Sequence, residues 1–424
     1  MRIKSLHIEN FRGLTDEYVE FNESMTVLAG GNGGGKSSLL EAISIMLSWL
    51  PVGISNAYAA PMKIRTSDVT YGKSYSKLTM VLSEPHQKDI SLTLTKRACR
   101  SAKCAPSDME AAKKYASDMR VLLDSPNGAN VDIPVFIHYG TNRNDTGYPS
   151  PIPRRGTDRI SVYDKAFDAG TDFKKFSKWF GEAIAEREKA MSEAANLPLK
   201  AGNRKRDEIN AKFSAVSAVR RALADFGDSF CDFSVRNGEL FLGAKNVPVS
   251  RLSDGEKTVV ALIADIAMRM AVANPQRKNP LETSAIVLID ELDLHLHPDW
   301  QTAIAERLPR IFTWAQFVIS SHSPSIMALA KNLYRFRNDT DGGRLEKVDS
   351  AFGRNPADLL SSVLNASRES QTAKKISKMY EFIDNRNFSA AQNIIEELNK
   401  LIPDDPEVVR AEYLVRALSH GGGK

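Results

Sequence analysis

Nine residues, Gly30-Gly31-Asn32-Gly33-Gly34-Gly35-Lys36-Ser37-Ser38, match G-x-x-x-x-G-K-[ST], with Gly30, Gly35, Lys36 and Ser37 at the fixed places. The chemistry of such a loop is phosphate binding. Its glycines let backbone N–H groups turn inward around an anion, and the following helix adds its positive dipole end. Lys36 would reach the β- and γ-phosphates, and the Ser37 hydroxyl would ligate Mg²⁺. Far along the chain, Asp290 and Glu291 end an apolar run. Asp290 suits Mg²⁺, directly or through water, and Glu291 suits a general base that polarises water. His322 ends another apolar run and could hydrogen-bond the γ-phosphate; the alternative is a satisfied core or surface histidine. Ser253-Asp254-Gly255-Glu256 opens a helical pattern and offers a second anion site, or a plain helix cap.

The elements needed to position these groups are legible around them. Met25 to Ala29 is a short apolar, β-prone run, and Ser38 to Leu47 is apolar at helical spacing, so the loop falls at a strand-to-helix turn. Ala285 to Ile289 and Gln316 to Ser320 read as parallel strands buried on both faces. Val259 to Val272 reads as a long apolar helix. Ile3 to Glu9, Lys77 to Leu82, Ile90 to Thr95 and Val131 to Tyr139 read as strands, and Cys231 to Leu242 as a strand pair around Asn237-Gly238. Ala111 to Leu123, Phe173 to Ala195 and Arg204 to Phe226 read as helices, the last two broken by Leu197 to Asn203. After residue 353 the pattern is helical, with Ile376, Met379, Tyr380 and Ile383 in phase. The expected divisions are 1–170, the first part of a head; 171–226, a helical lobe with a basic, solvated face; 227–353, the second part of the head; and 354–424, a helical region.

At 424 residues, 42% hydrophobic and 26% charged, this is an ordinary globular composition. The net charge of +5 permits nucleic acid as a partner without demanding it. Cys99, Cys104 and Cys231 form no even disulfide framework and no zinc spacing, so they read as free thiols in a reducing compartment. No apolar run reads as long enough to span a membrane, and the opening residues lack a signal-peptide pattern; the expected location is cytoplasmic. A second phosphate site in a chain with one P-loop suggests a two-fold dimer, each P-loop facing the other copy's Ser253–Glu256 helix.

Together, Gly30 to Ser38, Leu252 to Glu256, Asp290-Glu291-Leu292-Asp293 and His322 resemble the Walker A, signature, Walker B plus D-loop, and switch-histidine motifs of ABC-type ATPases. Asn10-Phe11-Arg12-Gly13 resembles the chromosome-maintenance and repair branch, which implies that Arg12 lies near the phosphates. The run from Asp290 to Gln301 is similar to the compact ATPases of anti-phage systems and of the overcoming-lysogenization-defect group. Phe352-Gly353-Arg354-Asn355-Pro356 and the helical tail most resemble the PtuA ATPases of Septu and some retron systems.

The resemblance implies an α/β head with a mixed sheet, a short helical insertion lobe and a small C-terminal helical appendage. It implies ATP contacts from Arg12, Gly30, Asn32, Gly33, Gly35, Lys36, Ser37, Ser38, Ser253, Asp254, Gly255 and Glu256, Mg²⁺ on Ser37 and Asp290, and catalysis by Glu291 and His322. It also implies an ATP-sandwich homodimer or a higher even oligomer. The implied partners are a PtuB-like HNH endonuclease and nucleic acid, with a reverse transcriptase and the non-coding RNA or DNA of a retron as further candidates, and no membrane.

The sequence departs from the general pattern where Asp254 replaces the first signature glycine and Glu256 the usual glutamine. No Q-loop glutamine is evident; Tyr139-Gly140-Thr141-Asn142-Arg143 ends a strand in about that place. The competing reading is a stand-alone RecF-like DNA-repair ATPase. The short lobe and the lack of a Cys-x-x-Cys hook weigh against a long-armed repair protein. A tail too short and too helical for an acidic metal site weighs against a nuclease, although Asp404, Asp405 and Glu407 sit there.

Overall fold

The structure, a computed structural model, describes residues 1–55, 60–84, 88–99, 101–141, 159–168, 173–227, 230, 232–236, 239–242, 247–339, 342–349, 351–356, 358–359, 363, 371–403 and 405–420. The readings of Cys231, Asn142, Arg143, Asp404 and the Asn237-Gly238 turn lie outside them. The chain divides into two compact units, Met1–Leu359 and Leu360–Lys424.

The first unit opens with β1 (Arg2–Phe11), β2 (Leu14–Glu20) and β3 (Met25–Gly30), followed by α1 (Lys36–Leu47) and α2 (Trp49–Ser55). Then come β4 (Tyr75–Ser83), β5 (Ile90–Arg97), α3 (Glu110–Asp124) and β6 (Val135–Tyr139). Helices α4 (Phe173–Ala195), α5 (Leu199–Lys212) and α6 (Ser214–Phe226) form the insertion. They are followed by the short strands β7 (Phe233–Arg236), β8 (Glu239–Leu242) and β9 (Val247–Pro248). The unit continues with α7 (Asp254–Ala273), β10 (Ala285–Ile289), α8 (Pro298–Ile311), β11 (Ala315–Ser321), α9 (Pro324–Ala328), β12 (Leu333–Asp339) and β13 (Gly342–Val348).

Two sheets meet on one core. Strands β2-β1-β4-β5 form an antiparallel sheet whose alternate residues face inward, as β4 shows with Ser76, Leu78, Met80 and Leu82 buried. The larger sheet has the order β13-β12-β3-β11-β10-β6, parallel except for β13. Its centre is buried on both faces: all residues of β3, β10 and β11 are buried, which explains their largely apolar runs. Helix α1 is buried between the sheets, with Leu39, Leu40, Ile43 and Met46 in a core shared with Leu6, Ile8, Leu78 and Leu288.

Three sequence readings need correction. The break expected over Leu197 to Asn203 is present but shorter, residues 196–198 between α4 and α5, which begins at Leu199; a second interruption falls at Phe213. The hairpin β12–β13 has no clear signal in the sequence, since its arginines and acids mask the alternation of Tyr334 and Phe336. Finally, Lys36–Ser55 is long and apolar enough to cross a membrane by length and composition. Here most of it is core: α1 lies between the two sheets, and α2, after the break at Ser48, packs on α3 through Ile54, Ala116 and Met119.

The second unit holds α10 (Gln371–Asp384), α11 (Phe388–Leu401) and α12 (Pro406–His420). Its core is Met379, Ile383, Ala391, Ile395, Leu398, Val408 and Ala411 at helical spacing.

Candidate nucleotide site

Three parallel strands carry the candidate residues to one edge. Ser321 pairs with Ala29 between β11 and β3, and Ile289 with Ile319 between β10 and β11. The P-loop, Asp290-Glu291 and His322 therefore all follow carboxyl ends of adjacent strands. In an open parallel sheet that edge is where ligands bind.

The loop itself requires glycine. Gly30, Gly33 and Gly35 have φ of 147°, 76° and 109°, where side chains are strained. A Cβ on Gly30 would lie 3.0 Å from the Phe336 backbone oxygen, and one on Gly35 would lie 3.0 Å from Leu14 Cδ2. Helix α1 starts at Lys36 with no side-chain cap and no acid in its first turn. Its N-terminal N–H groups and dipole thus have no side-chain anion of their own there. Asn32, Gly33 and Ser37 are exposed and Ser38 half-buried. Lys36 is buried, and its ammonium donates to the carbonyls of Gly30 at 2.9 Å and Gly31 at 3.0 Å. Burial holds its pKa below the usual lysine value, opposed by the carboxylates of Asp290, Glu291 and Asp293. A buried cation beside a glycine loop, in the field of three carboxylates, fits a polyanion accompanied by a divalent ion.

Asp290 is buried, and Ser320 on the neighbouring strand donates to its Oδ1 at 2.5 Å. The same hydroxyl accepts the Glu291 N–H at 2.7 Å. Glu291 sits at φ 48°, a left-handed conformation uncommon for glutamate, which turns the chain sharply at the strand end. His322 receives no such turn; its N–H donates to Asp293 Oδ1 at 3.2 Å. Burial, then the Lys36 charge, lower the His322 pKa, so the ring is neutral near pH 7. Its Nε2 is buried without a hydrogen-bond partner among the described residues. A neutral ring with a free nitrogen fits a group that contacts phosphate. Among the described residues no cluster of three or more His, Cys, Asp or Glu could hold a metal alone. Ser37 and Asp290 suit Mg²⁺, which keeps few protein ligands and shares substrate phosphates.

Two expected residues are engaged locally. Arg12 Nε donates to Asp68 Oδ1 at 3.0 Å, and its guanidinium pairs with Glu41 of α1 at 3.3 Å. It thus braces the P-loop helix. Ser253 caps α7, accepting the Glu256 N–H at 3.3 Å while Glu256 Oε2 accepts the Ser253 N–H at 3.0 Å. Asp254 is exposed. Gly255 packs against the loop after Asp293: a Cβ there would lie 3.3 Å from the His295 carbonyl.

His138 went unnoticed in the sequence. The Ser44 hydroxyl of α1 donates to the Leu40 carbonyl at 3.0 Å, so His138 Nδ1–H donates to Ser44 Oγ at 2.9 Å. Its Nε2 is then a buried lone pair with no partner among the described residues. The ring carries neutral character because burial lowers its pKa against the pull of Asp290, Glu41 and Asp168. An isolated histidine in an apolar strand gives no spacing signal.

The chain is 28% identical over 397 residues to the Retron Ec83 probable ATPase of Escherichia coli, covering 80% of this chain and 72% of that protein. It is 26% identical over 410 residues to the Retron Vc95 probable ATPase of Vibrio cholerae, covering 85% and 78%. It is 24% identical over 339 residues to the Septu protein PtuA of Bacillus thuringiensis, covering 77% and 73%. The family model described as RecF/RecN/SMC N terminal domain matches residues 2–344, a span that contains the P-loop, Asp290-Glu291 and His322. The chain belongs to the RecF/RecN/SMC N-terminal domain family.

Proposed function

We propose that the chain is the ATP-binding and ATP-hydrolysing subunit of a bacterial anti-phage defence complex, in which it forms an ATP-sandwich dimer and controls a partner HNH endonuclease. The observation that carries the ATPase part is the convergence of Lys36, Asp290, Glu291 and His322 on one strand edge. The defence part is supported by similarity to two retron ATPases and to Septu PtuA.

Each residue then has a task. Gly30 to Ser38 wrap the phosphates, and Lys36 exchanges the Gly30 and Gly31 carbonyls for phosphate oxygens. Ser37 and Asp290 would hold Mg²⁺, which when bound neutralises charge on the β- and γ-phosphates. Glu291 accepts a proton from the attacking water. His322 hydrogen-bonds the γ-phosphate. Ser253 and Gly255 of a second copy cover the phosphates from the other side, which makes closure depend on the nucleotide.

The test is co-purification of this chain with the HNH protein encoded beside it, with and without ATP, on a sizing column with light scattering. A stable complex on an even number of ATPase chains supports the reading. A chain that takes no such partner, dimerises with ATP and binds DNA returns the repair reading.

A further inference from the structure

Tyr139 ends β6 beside the acidic pair: it is in register with Ile289, and its carbonyl accepts the Asp290 N–H at 2.8 Å. Its phenol reaches a different element. The hydroxyl donates to Asp265 Oδ2 on α7 at 2.5 Å. Arg269, one turn further along α7, donates Nε–H to the same oxygen at 2.9 Å and a second N–H to the Val162 carbonyl at 2.9 Å. All three side chains are buried, Asp265 and Arg269 each to 1% exposure. Asp265 Oδ1 is buried with no hydrogen-bond partner among the described residues. Among the described residues the carboxylate is therefore bonded through one oxygen only, and a buried polar atom left unsatisfied is costly, which disfavours this arrangement relative to one that pairs it. Helix α7 is the element that begins with Ser253–Glu256. One residue thus holds the backbone of Asp290 at one end and the body of the signature helix at the other.

We propose that Tyr139 is a positioning residue that couples the Asp290 end of the sheet to α7, so that nucleotide at the P-loop edge sets the position of the same chain's Ser253–Glu256 segment. The inference rests on the nucleotide reading above and supplies its regulation. A shift of the β10 end that follows the Asp290–Tyr139 backbone bond moves the phenol. Asp265 and Arg269 pass that shift to α7, which moves as a rigid rod.

The test is Tyr139→Phe in the full chain, which keeps the ring and the carbonyl bonded to Asp290. Amide hydrogen exchange is followed with and without Mg²⁺ and ATPγS, alongside steady-state ATPase. The expected result is protection of residues 30–38 in both proteins, but protection of residues 253–260 in the unaltered chain alone. KM should stay within about twofold and kcat should fall about tenfold. Equal protection of 253–260 with kcat within about twofold overturns the proposal, including when Tm falls, since that marks a purely structural bond. If Tyr139→Phe does not fold, the unaltered chain decides: protection of residues 253–260 together with 30–38 on adding Mg²⁺ and ATPγS is expected, and protection of 30–38 alone overturns the proposal. No protection of residues 30–38 in the unaltered chain overturns the nucleotide reading and this inference with it.

Discussion

Ser320 and Asp290 lie on adjacent parallel strands, and the Ser320 hydroxyl donates to the Asp290 carboxylate at 2.5 Å while accepting the Glu291 N–H at 2.7 Å. One small side chain thus fixes both the carboxylate proposed to hold Mg²⁺ and the backbone that aims the one proposed to activate water. Ser320→Ala should lower stability by about 1–3 kcal/mol, because it removes the hydroxyl that bonds both the buried Asp290 carboxylate and the Glu291 N–H. It should also raise the Mg²⁺ concentration needed for half-maximal ATPase. Denaturant unfolding and a Mg²⁺ titration check the two effects separately.

Lys36→Ala should weaken ATP binding about 10- to 150-fold, the size of one charge-assisted hydrogen bond at about 1.5–3 kcal/mol. The unliganded fold should not suffer. The buried ammonium is held by two carbonyls in place of water, and removing it relieves a desolvated charge. Calorimetric titration with ATP and a melting curve should therefore diverge: weaker binding with an unchanged or higher Tm.

Gly35→Ala should damage both. The residue sits at φ 109°, and the new methyl group meets Leu14 and the Phe336 ring. A cost of about 1–3 kcal/mol is expected for the forced backbone. Tm should fall by a few degrees, and ATP affinity should fall as the loop leaves its anion-binding shape. Both are read on one protein preparation by scanning calorimetry and nucleotide titration.

Stability should decline on the acid side through the histidines. Burial lowers the pKa of His138 and His322 below the ordinary value of 6.5. As pH drops through about 6.5 the unfolded chain takes up protons first. This contribution is therefore complete above that pH and is lost as pH falls toward the folded values. Melting temperatures at about pH 7.5 and 5.5 should differ less in His138→Gln than in the unaltered chain.

Much of this architecture is written locally. The P-loop announces itself because glycine spacing, Lys36 and the flanking apolar runs all act within a few residues. The buried strands at β10 and β11 are equally plain, since two covered faces demand continuous apolar sequence. What escapes is long-range. The partnership of Ser320 with Asp290 joins residues 30 apart, and that of Tyr139 with Asp265 joins residues 126 apart. Neither serine nor tyrosine announces its partner by spacing. Phe336, which fences Gly30 and Gly35, lies in a strand whose charged residues hide its period. Arg12 is visible as a motif residue, yet its bracing of α1 through Glu41 is set by the turn between β1 and β2.

The central claim is that the shared edge of β3, β10 and β11 binds Mg·ATP and that Glu291 activates water there. The most direct measurement is phosphate release in a single turnover by the unaltered chain and by Glu291→Gln, with ATP affinity measured on the same samples. The account predicts affinities within about threefold and phosphate release slower by about 10²- to 10⁴-fold in the variant, the range of general-base catalysis. It also predicts that the variant accumulates as a closed dimer with ATP bound. Equal phosphate release by the two proteins, or no ATP binding by either, would contradict it.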